Sequence, residues 1–338
     1  MKKLKNKKIF VLRIFTFQTF KPYVEDKLKN FNINAKINVG EFNQIDQELF
    51  NKKNKNLKNS DLIIIAVDFN YLYPNNEFNL SKISTTEIVI KIKNWIYLIR
   101  KSSNAKILIW DFVSDTHSYN LLINPYVSHD NTYIIDTINQ KIKKIITKFE
   151  GVYLFEISKI SKNYGIRNVF DKRYTYLARV PFSSEYYEKI SFLLSRFMNS
   201  IFSTPKKCLV LDLDNTLWGG VLGEDDIDGI ELGNTYNGVL FVDFQKYLLN
   251  LKKRGVLLAI SSKNNLEDVQ EVFKKHNDMI LKLSDFVNIK VNWDDKYRNI
   301  NNIANEIGIG LSSIVFFDDS KIEREAMKKL LPEVNTLD

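Results

Sequence analysis

A chain of 338 residues is long enough for two domains with separate cores, and its balance of 44% hydrophobic and 26% charged residues contains no apolar run of about 18 or more, which excludes a predicted membrane-spanning helix. A single cysteine leaves no internal disulfide framework, and three scattered histidines argue against a histidine-built zinc site. The formal net charge of +9 is uneven: residues 1–205 carry 32 Lys and Arg against 18 Asp and Glu, whereas residues 206–338 carry 17 against 22. A basic first part could steer an acidic macromolecule towards an acidic second part, but Lys is abundant throughout. No aromatic-basic motif accompanies the charge, so nucleic-acid binding is not inferred.

The basic start and the fairly apolar residues 9–20 faintly imitate a signal peptide. Arg13, Thr16, Gln18 and Thr19 interrupt it and no small-residue cleavage site follows, so a cytoplasmic protein is expected. Residues 9–17 read as a strand, Pro22 introduces a helix over 23–31, and the alternation of 35–39 predicts a short segment of strand. Polar residues 52–59 fit a loop or an exposed helix end. Residues 61–68 are apolar on both faces, the pattern of a buried parallel strand. A helix over 85–101, a strand over 105–111, a helix over 137–149 and a strand over 151–156 complete a β-α-β alternation, which predicts a three-layer α/β domain. His117 and His129 fall in polar sequence and read as surface residues. Arg173 and Arg179 read as structural or solvated, with ligand contact as the alternative. A helix over 183–199 and a linker containing Pro205 place the domain boundary between residues 203 and 204.

Cys208 to Leu211 then form a predicted buried strand that ends at Asp212 and Asp214. Side chains at i and i+2 share a face, so both carboxylates can reach one pocket at the strand's mouth, where hard oxygens suit Mg²⁺. Thr216, Trp218, Gly219 and Gly220 follow in a predicted mobile turn that could approach a phosphate by backbone amides, with Trp218 either sealing the pocket or simply packed. The acids of 224–228 read as solvent-exposed. After a helix over 239–253, the strand 256–260 ends in Ser261 and Ser262, a place for a hydroxyl that holds a phosphate oxygen, with Asn264 as a further substrate contact. A helix is predicted over 267–275, followed by the segments 278–283 and 286–291. Lys296 opens the helix 297–306, a poor position for a cation unless it reaches an anion. The strand 313–317 ends in Asp318 and Asp319, and Ser320 begins a helix over 321–330. Helix capping accounts for one acid here. It does not account for two strand ends that both terminate in acidic pairs.

The run Asp212-Leu-Asp-Asn-Thr resembles the first motif of the haloacid dehalogenase (HAD) superfamily, and its continuation to Glu224 resembles the FkbH-like branch, subfamily IIIC. The resemblance implies Asp212 as the nucleophile that takes a phosphoryl group and Asp214 as general acid and base. It implies Ser262 as the second-motif hydroxyl, with Ser261 as the one-position alternative, and Lys296 as the third-motif lysine, with Lys290 as runner-up. Asp212, Asp214, Asp318 and Asp319 form the implied Mg²⁺ set. Residues 1–203 resemble an SGNH-like three-layer α/β domain without the Gly-Asp-Ser and Asp-x-x-His signatures of its hydrolases; residues 204–338 resemble a Rossmannoid HAD domain with a minimal cap. The implied function is a Mg²⁺-dependent phosphatase acting on a small phosphorylated metabolite, or a phosphate-releasing acyltransferase that loads a glyceryl-like three-carbon unit on an acyl carrier protein. The sole cysteine, Cys208, reads as an inert core residue, and the sequence closes at residues 332–338 directly after the last motif, both of which favour the phosphatase. A non-catalytic binding module on the same folds and an esterase in the first domain are the alternatives.

Overall fold

The segment Leu62–Ala66 is apolar at every position and buried at every position, as expected where a parallel sheet carries helices on both faces. The computed structural model describes residues 4–72, 84–114 and 131–337, and the chain divides into two units between Phe202 and Ser203. The first unit runs β1 (Lys5–Arg13), α1 (Lys21–Lys29), β2 (Ile33–Val39), α2 (Ile45–Phe50), α3 (Lys55–Asn59), β3 (Leu62–Ala66), α4 (Phe69–Leu72), α5 (Thr85–Ser102), β4 (Lys106–Trp110), α6 (Asn131–Ile146), β5 (Val152–Phe155), α7 (Ile157–Tyr164), α8 (Lys172–Ala178) and α9 (Ser184–Phe202). Its strands are all parallel, in the order β2-β1-β3-β4-β5.

Local chemistry sets these boundaries. In α5 the Ser84 side chain accepts a hydrogen bond from the Glu87 amide, Arg100 and Lys101 occupy the last turn, and Ile88, Ile92, Trp95, Ile96 and Ile99 form the buried stripe. Burying each such side chain stabilises the unit by roughly 1.5–3 kcal/mol. Three expectations shift. Strand β1 begins at Lys5 because β2 pairs with it from Lys5 to Val11, and it ends at Arg13 because the chain then turns into an aromatic cluster in which Phe15, Phe17 and Phe20 pack around Trp110. Polar residues 52–59 include the short helix α3, capped by Asn54, which accepts from the amides of Asn56 and Leu57. Helix α9 continues through Phe202 because Ile201 is still buried, so part of the expected linker is helical. His117 and His129 lie outside the described residues.

The second unit runs β6 (Cys208–Leu211), α10 (Leu222–Gly229), α11 (Gly238–Lys253), β7 (Leu257–Ser262), α12 (Leu266–Lys275), β8 (Phe286–Val291), α13 (Lys296–Glu306), β9 (Ile314–Phe317), α14 (Lys321–Leu330) and β10 (Asn335–Thr336). The parallel order β10-β9-β6-β7-β8 puts β6 between β9 and β7, with Leu211 aligned to Phe317 on one side and Ile260 on the other. One sheet face, with Leu209, Leu211, Leu258 and Ile260, packs on Leu248 of α11 and on Val269 and Val272 of α12. The other, with Cys208, Val210, Ala259 and Phe316, packs on Ile300 and Ile303 of α13 and Met327 of α14. Among the described residues no helix is long and apolar enough to cross a membrane.

Candidate active site

The period of two along β6 and β9 carries the face of Val210 and Phe316 forward to Asp212 and Asp318, the face on which α13 lies. Helix α13 is pinned there by Ile300 and Ile303, which brings its first residue, Lys296, to the mouth of the sheet. The Lys296 Nζ donates to Asp212 Oδ2 at 2.8 Å and to Asp318 Oδ2 at 2.7 Å, and its side chain is 4% exposed. Burial pushes the pKa of Lys296 down, but the two carboxylates outweigh it and hold the ammonium above its ordinary value. Asp318 is raised by burial, against the pull of Lys296 and with a push from Asp212; Asp319, although exposed, is raised by desolvation and by Asp212.

Carboxylate oxygens of Asp212, Asp318 and Asp319 lie within 4.8 Å of one another. Three acids against one lysine leave an excess of negative charge in a largely buried place, and Asp212 Oδ1 is buried with no hydrogen-bond partner among the described residues. An orphaned carboxylate oxygen in a group of hard oxygen donors suits a divalent cation such as Mg²⁺. The backbone secures Asp318, whose Oδ1 accepts from the Ser320 amide at 2.9 Å, while the Asp212 amide donates to the Phe317 carbonyl.

Asp214 stands apart from this cluster. Its Oδ1 accepts from Trp218 Nε1 at 3.0 Å and from the Leu222 amide at 3.2 Å, and its Oδ2 accepts from Asn264 Nδ2 at 2.9 Å. The expectation that the Asp214 carboxylate joins the metal set does not match this geometry, because its oxygens are turned to three donors. Asn264 also donates to Ser262 Oγ at 3.1 Å, which ties the end of β7 to Asp214. Among the described residues Ser261, fully buried, has no partner for its hydroxyl, and neither has Thr216. Lys290 is held away from the acids by Glu306, at 2.6 Å.

The turn after β6 is tied down at several points. Asn215 takes a left-handed conformation, φ 52°, and its Oδ1 accepts from the Gly220 amide. Gly220, φ +90°, sits where a Cβ would come within 2.5 Å of Asp225 Oδ2, the oxygen that accepts from the Val221 amide. Gly219 exchanges backbone hydrogen bonds with Glu231, and a Cβ there would press on Phe241. Trp218 is fully buried, with Phe273 edge-on to its ring. It therefore packs beneath the turn and orients Asp214.

Three supporting groups escape sequence reasoning. Gln245, fully buried in α11, donates to the Leu217 carbonyl and accepts from the Ile280 and Leu281 amides. Its signal was its spacing, since a polar residue seven after Gly238 and three before Leu248 lies on the helix's buried face. Asn299 in α13 exchanges amide hydrogen bonds with Asn292, which anchors the helix that carries Lys296. Arg324 Nη1 donates to the carbonyls of Asp318 and Asp319.

No family model and no curated protein matches the chain. Among solved structures, the N-terminal part of the protein BF1531 from Bacteroides fragilis, containing a phosphatase domain and complexed with Mg, is similar over 99% of this chain and 89% of that chain, with 25% identity and a TM-score of 0.79. A HAD family enzyme, bt-2542 from Bacteroides thetaiotaomicron, in complex with magnesium and inorganic phosphate, is matched over 39% of this chain and 92% of that chain, with 16% identity and a TM-score of 0.28. The chain thus shares the fold of a Mg-complexed protein that contains a phosphatase domain, and beyond the ends of the neighbouring strands β6 and β9 it groups three carboxylates, Asp212, Asp318 and Asp319, of the kind that binds Mg²⁺.

Proposed function

We propose that the second unit is a Mg²⁺-dependent phosphohydrolase of the FkbH-like, subfamily IIIC type that works through a phospho-aspartate on Asp212 and acts on a small phosphorylated metabolite. The observation that carries this reading is the division of labour at Asp212: one oxygen is neutralised by Lys296, the other is buried and unpaired among the described residues, and the carboxylate is grouped with those of Asp318 and Asp319. Asp212, Asp318 and Asp319 would hold Mg²⁺, which would neutralise charge on the phosphoryl oxygens. The Mg complex of the Bacteroides fragilis protein supports this assignment.

In this mechanism an Asp212 carboxylate oxygen attacks phosphorus, and the bond from phosphorus to the leaving oxygen breaks as that oxygen takes a proton from protonated Asp214. Asp214, now a carboxylate, accepts a proton from water whose oxygen attacks the aspartyl phosphate. Asp212 and inorganic phosphate are released. Lys296 and the Ser262 hydroxyl hold the phosphoryl oxygens, with Thr216 and Asn264 lining the approach; the amides of Gly219 and Gly220, expected to meet the phosphate, are engaged by Glu231 and Asn215, and Trp218 fixes Asp214 through its indole N–H.

Transfer of an acyl group to an acyl carrier protein is the second reading of the same site. The only cysteine, Cys208, is fully buried in β6, and burial pushes its thiol up to about 12. In that reading the carrier's thiol, losing its proton, would attack the acyl carbon directly, and the bond from that carbon to the phosphate oxygen would break with release of inorganic phosphate. The first unit, in this reading, is an SGNH-like domain without hydrolase activity: the residues after β1 are the buried Phe15 and Phe17, where that fold would need a nucleophile. Phosphate release from a panel of small phosphorylated metabolites, including a glyceryl acyl phosphate, tests the proposal. Release that needs Mg²⁺ and disappears in Asp212→Asn is expected. Release that persists in that variant would refute it, and added mass on a carrier protein would select the transferase.

A further inference from the structure

We infer that the first unit carries an oxyanion-binding site of its own, built by Arg13, Arg179 and Phe42, for a small molecule bearing a phosphate or carboxylate group. Strand order β2-β1-β3 means that the chain leaves β1 towards one side of the sheet for β2 and returns to the other side for β3. The crevice outside the carboxyl ends of such strands is where open parallel sheets bind ligands. Arg13 is the last residue of β1, at that crevice, and is 7% exposed.

A guanidinium this deeply buried is costly unless an anion neutralises it. Among the described residues neither Arg13 nor Arg179 makes an ion pair. Arg13 donates only to main-chain carbonyls, Nε to Gly40 at 2.9 Å and Nη1 to Phe15 at 3.1 Å. Its guanidinium carbon stands 5.5 Å from the ring centre of Phe42, and that of Arg179 stands 4.7 Å from the same ring. Phe42 thus gathers a buried and an exposed guanidinium around one ring, and an anion bound by both would relieve the desolvation of Arg13. Glu41 acts on Arg13 electrostatically without forming an ion pair with it.

The placement of Arg179 is imposed by the chain. It ends α8 in a left-handed conformation, φ 55° and ψ 38°, a place where glycine is usual and arginine is strained. The Thr16 amide donates to the Arg179 carbonyl at 2.9 Å and the Thr16 hydroxyl to the Ala178 carbonyl at 2.7 Å, which fastens this cap to the loop after β1. The cations at the amino ends of the strands differ: Lys7 is paired with Asp61, and Lys106 donates to the Ile201 carbonyl.

The test is calorimetric titration of the full chain, in chelator, with inorganic phosphate in one arm and malonate in the other. Wild type is compared with Arg179→Asn, which tolerates the left-handed cap, with Arg13→Gln, and with Lys296→Met. One site is expected in wild type, weakened at least tenfold by Arg179→Asn and by Arg13→Gln and unchanged by Lys296→Met. Tighter binding in one arm identifies the anion class. Absence of binding in both arms overturns the proposal, as does binding whose affinity Arg179→Asn leaves unchanged or that disappears in Lys296→Met.

Discussion

Both units are five-stranded parallel sheets whose strands end in buried ionisable groups, yet the ends are used differently. In the first unit Asp111, immediately after β4, is buried and accepts from both the amide and the hydroxyl of Ser158 in α7, so this acid is satisfied locally. In the second unit Asp212 and Asp318 end neighbouring strands, share Lys296 and leave one carboxylate oxygen without a partner. The same architecture can make an acid structural or chemical. The difference is whether the acids find separate donors or converge.

The strongest way to break the comparison is at Asp212. Asp212→Asn keeps the shape and removes the proposed nucleophile, and phosphate release should fall by roughly 10⁴-fold or more in single-turnover assays. Lys296→Met should abolish release as well and leave two buried acids without their cation, costing about 3–5 kcal/mol in urea unfolding, a loss that added Mg²⁺ should partly restore. Gln245→Leu strands one carbonyl and two amides in the interior, so a loss of about 3 kcal/mol is expected from the same measurement, with residual activity surviving.

Asp111 sharpens the contrast through pH. Burial, opposed by the hydrogen bonds from Ser158, pushes its carboxyl up to about 6. A folded pKa above the unfolded one means that the folded unit binds the proton more tightly. Its contribution is therefore present below pH ~4 and is lost as the pH rises through about 6, amounting to roughly 2–3 kcal/mol. Urea midpoints should show that fall in wild type and not in Asp111→Asn. The smallest effect is expected at Lys290, whose ion pair with Glu306 is at the surface: Lys290→Ala should change stability by about 0.5 kcal/mol or less and leave phosphate release unaltered.

Much of the second unit was legible because its signals are local. Cys208 to Leu211 followed by two acids, Ser261 and Ser262 at the end of another apolar run, and Lys296 opening a helix each mark a strand end or a helix start, and the strands and helices lie there to within a few residues. The orientation of Asp214 was not legible, since it depends on Trp218, Leu222 and Asn264 arriving from three different places in the chain. Gln245 was hidden for a related reason, because a buried amide looks like any surface glutamine until its partners at residues 217, 280 and 281 are known.

By itself the sequence determined the strands, the helices and the chemical types at the strand ends, because periodicity and capping act over a few residues. The β10-β9-β6-β7-β8 order was decided only in three dimensions. It sets Asp212 beside Asp318, 106 positions later in the chain, and brings Lys296 over both. Charge compensation across that distance depends on strand register and helix packing, which no local pattern encodes.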